Sequence, residues 1–181
     1  MLDNNFFSEY GYLYLEDLLT KEVRLRFASI MLLMKEKNFL VFEGTDSMGN
    51  KNNYYNNSYG GNHQEFEDAL ISIQPIVEKE LGFKLKSKNS YARIYYDGGE
   101  LNKHVDRSGL DYTLSICLFN NLNNDWPLWC IDAKNNEIPI NIGLGDGVLM
   151  LGTKLLHWRE PLICKKNQFV IQLFMHWVVD N

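Results

Sequence analysis

The sequence predicts a mainly β (α+β) chain, a double-sheet jelly roll with supporting N-terminal helices. Three observations carry this. From Ser90 onward, short apolar and β-branched runs are separated by Gly- and Asn-rich breaks, with no helix-period stretch between them. Such a run of strands suits stacked antiparallel sheets rather than a parallel sheet with crossover helices. The helix-period stripes fall instead within the first 86 residues. Finally, 181 residues suit a single domain, large enough to bury roughly 70% of its unfolded surface. The expected division is a mainly helical support over 1–86 and a β core over 87–179.

Thr20 is a good N-cap and Glu22 sits in the favourable first turn. Val23, Phe27, Ile30 and Met34 then share one stripe, which predicts a helix from about Thr20 to Lys37. A second stripe, Phe66, Leu70, Ile73 and Val77, follows Asn62, which can cap it in a capping box with Glu65. Gly82 should end this helix and Pro75 should kink or split it. Between the two helices, residues 48–62 are rich in Asn, Gly and Tyr, a composition with little to bury, and they read as a loop. Its tyrosines could cover a substrate, or it could be a plain surface loop. The predicted strands are Tyr91–Tyr96, broken by Asp97-Gly98-Gly99, then Tyr112–Phe119, Leu128–Ile131, Ile138–Ile142, Val148–Leu151 and Phe169–Trp177.

Lys and Arg number 18 against 23 Asp and Glu, a net charge of −5. A sequence-independent nucleic-acid footprint wants a basic face, so nucleic acid is not the expected partner. No apolar run approaches the ~18 residues of a membrane span, and no membrane association is expected. Met1–Asn5 lacks a basic segment followed by an apolar one, so a cytoplasmic protein is expected. Cys117, Cys130 and Cys164 are odd in number, lie in apolar surroundings and lack CxxC spacing. They read as free thiols in a reducing compartment.

The chain has four histidines. His104 and Asp106 stand at i and i+2, so in an extended strand both side chains leave the same face. His157 follows 51 residues after Asp106, in Leu155-Leu156-His157-Trp158-Arg159-Glu160, and must come from another strand. Two imidazoles and one carboxylate on a β scaffold make a plausible donor set for one divalent metal, with coordination positions left open for oxygen chemistry at Fe(II). The same residues have plainer readings. His104 and Asp106 could form a surface turn pair, and a histidine amid Leu155, Leu156 and Trp158 could be a core residue. His176, in Phe174-Met175-His176-Trp177, reads as structural or substrate-facing, His63 as surface, Asp146 as a turn residue and Arg107 as a solvated charge or a loop or substrate contact.

In this order, the Tyr-rich run Tyr91–Tyr96, the Asp97-Gly98-Gly99 turn, His104-Val105-Asp106-Arg107, Trp126-Pro127-Leu128, Gly143–Val148 and Leu156–Glu160 resemble the 2-oxoglutarate- and Fe(II)-dependent oxygenases, prolyl-4-hydroxylase-like branch. The resemblance covers about Ser87 to Val179 and implies a double-stranded β-helix core. It implies His104, Asp106 and His157 as the metal ligands and catalytic centre, with Fe(II) as metal, 2-oxoglutarate as cosubstrate and ascorbate as reductant. The implied activity is a dioxygenase reaction that converts 2-oxoglutarate to succinate and carbon dioxide and hydroxylates a second substrate. The family places a basic residue about nine or ten positions beyond the distal histidine to hold the far carboxylate of 2-oxoglutarate. Lys165 and Lys166 are nearest that offset, and Arg159 is the favoured alternative because it shares His157's strand face and pairs a carboxylate in a bidentate way. Tyr96 is expected to turn its hydroxyl toward the same pocket, with Leu114, Leu156 and Phe174 as apolar walls. A peptidyl proline is the suggested substrate, with free amino acids, small metabolites and a modified base open. A noncatalytic cupin-like jelly roll that binds a metal or ligand is the alternative, against which stands the open donor set, since structural sites are normally closed by four ligands.

Overall fold

The computed structural model describes residues 4–44 and 55–180. Its elements are α1 (Asn4–Tyr10), β1 (Tyr12–Leu15), α2 (Lys21–Glu36), β2 (Val41–Glu43), β3 (Tyr55–Gly61), α3 (Gln64–Leu81), β4 (Leu85–His104), β5 (Tyr112–Asn120), β6 (Leu128–Ile131), β7 (Glu137–Ile140), β8 (Gly147–Leu151), β9 (His157–Arg159) and β10 (Val170–Val179). None of the described helices is long and apolar enough to cross a membrane.

The strands run antiparallel in the order β1-β8-β5-β10-β4-β9-β6-β7, with β3 and β2 added alongside β4. β4 is the hinge of this jelly roll. Its first half pairs with β10 and its last residues pair with β9, Leu101 opposite Arg159 and His104 opposite His157. The turn residues Asp97-Gly98-Gly99 do not end the strand as expected. Gly98, at φ +76°, lets the chain bend while its N–H donates to Leu162 O, and pairing resumes beyond it.

One face of β4, β5 and β10 packs on the helices. Phe27, Ala28 and Met31 of α2 and Phe66, Leu70, Ile73 and Val77 of α3 are buried there against Ala92, Ile94, Leu114, Ile116, Leu118, Ile171, Leu173, Met175 and Trp177. The predicted α3 stripe is buried in full, whereas in α2 Phe27 is joined at the buried face by Ala28 and Met31, with Val23, Ile30 and Met34 half-buried. Thr20 caps α2, its side chain accepting from Val23 N, and Gly82 closes α3 in the left-handed conformation. The cap of α3 differs from expectation: it is His63, whose ring accepts from Glu65 N. Asn62 instead accepts from His63 N and Ser90 Oγ and donates to Glu67. Pro75 lies within α3, which runs unbroken through it.

The first 86 residues carry more β structure than the composition suggests. β1 extends the sheet beside β8, while β2 and β3 form a ribbon on β4. The described second half of the expected 48–62 loop is therefore a strand, held by register with β4 rather than by propensity. Residues 48–54 lie outside the described residues.

Candidate active site

The other face of the same strands looks inward on a cavity of about 400 Å³, lined by residues that include Tyr91, Arg93, His104, Asp106, His157 and His176. His104 ends β4 and Val105, 42% exposed, lies at the cavity's edge. Asp106 follows, its N–H donating to Gly152 O at 2.8 Å. A Cβ on Gly152 would lie 2.5 Å from Asp106 Oδ2 and 2.6 Å from Thr113 Oγ1, so only glycine permits this approach. His157 starts β9 opposite His104, and the pairing brings the two imidazole centroids to 4.4 Å.

Both rings are held in the same way. His104 Nδ1 lies 2.7 Å from Asn102 O and His157 Nδ1 lies 2.9 Å from Leu155 O. A carbonyl can only accept, so each Nδ1 carries a proton, and Nε2 is the ring nitrogen each histidine turns toward Asp106. Those two Nε2 atoms face one carboxylate oxygen, Asp106 Oδ1, at 3.5 Å and 3.8 Å. The three donor atoms lie within 4.8 Å of one another. Thr113 donates its hydroxyl to the other oxygen, Oδ2.

Electrostatics favour the ligand forms of Asp106 and His157. Burial would raise the Asp106 carboxyl, but hydrogen bonding to His104 and to the Thr113 hydroxyl holds it at about 2. Burial pushes His157 below its ordinary value, so a neutral imidazole is favoured. The site thus holds an ionised carboxylate and a neutral buried imidazole beside His104, three donors on one side of an open cavity.

Arg159 shares the strand face of His157 and is buried, 3% exposed. Its Nη1 donates to Trp126 O at 2.8 Å and its guanidinium stacks over the Trp126 ring at 4.6 Å. Nη2 has no hydrogen-bond partner among the described residues. Burial lowers its pKa, while Tyr95 and Cys117 favour the charge. Arg159 is not one of the cavity's lining residues; it lies one inward position further along β9.

The structure does not bring the other two expected cosubstrate residues to the cavity. Lys166 is exposed in the turn before β10. Tyr96 points to the helix side, its ring near Tyr59 and Phe169 and beneath Lys35. Its neighbour Tyr95 takes the inward face, fully buried and edge-on to Trp126. Leu114 likewise belongs to the helix-facing core, and Leu156 does not line the cavity, whereas Phe174 does. His176 lines the cavity with Nδ1 on Asn89 O at 3.2 Å. Arg107 lines its exposed rim, and His63 is half-buried against Phe66. Asp146 is a turn residue that accepts from Tyr14 and from Asp17 N. Thr113, Gly152 and Arg93 were not legible as site residues, because the first two act through Asp106 and the third through Glu43, 50 residues away.

No protein-family profile and no curated protein matches the sequence. Solved structures do match the fold. A Pseudomonas putida prolyl-4-hydroxylase superposes with a TM-score of 0.76 at 11% identity, over 98% of this chain and 97% of that one. The fold is that of the 2-oxoglutarate- and Fe(II)-dependent oxygenases. A prolyl hydroxylase from Trichoplax adhaerens, solved with a hypoxia-inducible-factor peptide, gives 0.73 at 14% identity, covering 96% and 86% of the two chains. HygX from Streptomyces hygroscopicus, with nickel, 2-oxoglutarate and hygromycin B bound, gives 0.67 at 10%, covering 95% and 85%. The oxygenase fold therefore extends over nearly the whole chain, including the helices and the β2–β3 ribbon. These oxygenase-fold structures hold dissimilar molecules, a hypoxia-inducible-factor peptide in one and hygromycin B in another, so the fold alone does not specify the substrate.

Proposed function

We propose that this chain is an Fe(II)- and 2-oxoglutarate-dependent dioxygenase, a hydroxylase of the prolyl-4-hydroxylase type. One observation carries the reading: two imidazoles with Nδ1 pinned to backbone carbonyls turn their Nε2 atoms toward one oxygen of an ionised carboxylate. Carbonyl-pinned imidazoles are what a metal ligand needs, since the outer hydrogen bond fixes ring orientation and tautomer. Two nitrogens and one oxygen on one side of an open cavity suit Fe(II). Bound there with 2-oxoglutarate, Fe(II) would supply the oxygen chemistry that couples decarboxylation to hydroxylation of a second substrate.

The chain's own residues account for the rest. Thr113 holds Oδ2 of Asp106, which leaves Oδ1 toward the histidines. Arg159 is a buried guanidinium that bonds a backbone carbonyl and a ring face. Such a charge is costly without an anion, and a carboxylate would satisfy Nη2. Two residues of strand separate it from His157, about 6.6 Å, a span that suits a dicarboxylate reaching from the donors to the guanidinium. Leu101, Leu128, Met150 and Phe174 line the cavity and exclude water around the donors. A peptidyl proline is the proposed substrate, on the resemblance of Tyr91–Arg107 and Leu156–Glu160 to the prolyl-4-hydroxylase-like branch. The free thiols of Cys117, Cys130 and Cys164 support a reducing, cytoplasmic setting.

The test is an assay of purified protein with Fe(II), 2-oxoglutarate and ascorbate, with and without a proline-containing peptide. Succinate should form, and formation should stop when Fe(II) is replaced by zinc. Metal and 2-oxoglutarate binding with no succinate under either condition assigns the chain to the noncatalytic alternative.

A further inference from the structure

The cavity wall carries a third histidine that the proposed chemistry does not use. Thr113 of β5, His176 of β10 and Asn89 of β4 stand side by side in register, and all three line the cavity. This row lies away from Arg159. Cys117, whose thiol feels the Arg159 charge, is four residues along β5 from Thr113, about 13 Å of strand, and Thr113 bonds Asp106. A carboxylate held by Arg159 and a group held by His176 therefore occupy different parts of the inward face. Within the row the polar groups are spent with one exception. The Thr113 hydroxyl donates to Asp106 Oδ2, and the Asn89 carbonyl accepts from His176 Nδ1 at 3.2 Å. Among the described residues His176 Nε2 has no hydrogen bond. Because Nδ1 is tied to the β4 backbone, the ring turns Nε2 away from that strand. Burial pushes His176 below its ordinary value; Asp106 opposes this, while Arg93 and Arg107 add to it. A neutral ring with its proton on Nδ1 has only an acceptor at Nε2. The residue is 8% exposed, and a desolvated acceptor costs free energy until something donates to it.

We propose that His176 is a specificity-determining residue: its Nε2 accepts a hydrogen bond from an N–H or O–H of the second substrate, next to the group presented to His104, Asp106 and His157. His176 stands one strand spacing, about 4.8 Å, from Thr113, the residue that holds Asp106, so the donating group and the reacting carbon belong to one small part of the molecule. Phe174, the next inward residue of β10, gives that part an apolar neighbour. The nitrogen of a proline inside a peptide carries no hydrogen. In a peptide substrate the donor is therefore the amide N–H of an adjoining residue, and a peptide N-substituted there as well should be rejected. Assigning this position to the second substrate rests on the oxygenase reading, but the demand for a hydrogen-bond donor does not.

The experiment reads binding without turnover, using two probes of one shape: 2-pyrrolidone, which carries an N–H, and γ-butyrolactone, which has a ring oxygen in its place. The full chain, with nitrogen-15 in its histidines, is titrated by nuclear magnetic resonance, once with zinc and 2-oxoglutarate present and once with neither. Wild type should bind 2-pyrrolidone about ten times more tightly than the lactone, and the His176 Nε2 resonance should move with 2-pyrrolidone alone. His176→Phe keeps a ring but no acceptor and should lose the preference. His176→Asn keeps an acceptor and should retain part of it, and its spectrum identifies the His176 signal by the loss of that signal. Wild type that binds both probes alike, or neither, overturns the proposal, and so does a preference that persists in His176→Phe. Should His176→Phe fail to fold, a His176 Nε2 resonance that stays still as wild type is saturated with 2-pyrrolidone overturns it too. Succinate formation without the probe preference sinks this inference alone, and the preference without succinate formation sinks the oxygenase reading alone.

Discussion

On β10, Ile171, Leu173, Met175 and Trp177 face the helices and are 0% exposed, while Gln172 and His176, one residue out of step, face the interior of the roll. β4 repeats the division, with Ala92 and Ile94 outward to the helices and Tyr91, Arg93 and Tyr95 inward. Both faces are buried, so burial does not distinguish them. Chemistry does. The helix-facing side is an apolar layer whose groups satisfy one another, whereas the inward side holds imidazoles, guanidinia, amides and hydroxyls around a cavity. A strand's period of two lets one stretch of sequence carry stability on one side and a site on the other. Changes on the two sides should therefore separate cleanly in experiment.

The largest separation is expected at the donors. His104→Ala, Asp106→Ala and His157→Ala should each abolish Fe(II)-dependent succinate formation, since two remaining ligands hold the metal poorly against water. Far-ultraviolet circular dichroism should stay that of wild type. A variant that keeps near wild-type turnover removes its residue from the site.

On the helix-facing side the pattern should invert. Leu173→Ala deletes a fully buried side chain from the apolar layer and should cost about 2–5 kcal/mol of unfolding free energy. Turnover per folded molecule should hold. Denaturant unfolding together with an assay normalised to folded protein checks this, and a specific activity that falls with stability would mean that the two faces are coupled.

Periodicity explains what the sequence revealed and what it hid. The helix stripes and the β runs after Ser90 state a face directly, because side-chain direction follows from position within the element; Asp106 lies just beyond β4 and is placed by its N–H bond to Gly152 O. Assigning Tyr96 to the cosubstrate pocket failed by one residue: β4 alternates strictly there, and Tyr95 holds the inward position. Placing Leu114 on the cavity wall failed by the same parity, since Thr113 and Ser115 are the inward residues of β5. Local pattern was silent where long-range pairing decides. β3 contains Asn and Gly residues that disfavour strands, and it is a strand because β2 and β4 supply its hydrogen bonds. Glu43 meets Arg93 only through that ribbon, and Gly152 earns its place only when β5 and Asp106 close around it.

Arg159 sharpens the comparison further, because it tests whether the inward face continues past the visible cavity. Arg159→Met keeps much of the apolar stem over Trp126 and deletes the charge. A charge-assisted pair is worth about 1.5–3 kcal/mol, so the apparent affinity for 2-oxoglutarate should fall roughly 10- to 150-fold. Lys166→Met should change it little, since that lysine is exposed and interacts through solvent. Titration of both variants at fixed Fe(II) decides, and a loss confined to the Lys166 variant would reverse the assignment.

The smallest expected effect is a difference in how the two faces respond to acid. In the helix layer, Glu78 ties the end of α3 to the start of β4: it accepts from Lys84 Nζ, Leu85 N and Gln74 Nε2. The Lys84 hydrogen bond first, then the Leu85 N–H, bring its carboxyl from 4.5 to about 2. A carboxylate depressed in the folded state stabilises fully above its unfolded value, and that stability is lost as pH falls toward the folded one. The Glu78 contribution should therefore be whole above about pH 4.5 and gone near pH 2. On the inward face, burial depresses His176 below 6.5. A neutral buried imidazole stabilises above the unfolded value, and this contribution is lost as pH falls through the folded one. Loss on the inward side should thus begin below pH 6.5, before the helix layer responds. Thermal midpoints of wild type, Glu78→Gln and His176→Gln between pH 8 and 2 test the order. The deficit of the Glu78 variant should persist to about pH 4.5 and close by pH 2, whereas that of the His176 variant should already shrink below pH 6.5. Parallel curves for the two variants would mean that neither shift is expressed in folding, and that the two faces differ in chemistry but not in their linkage to protons.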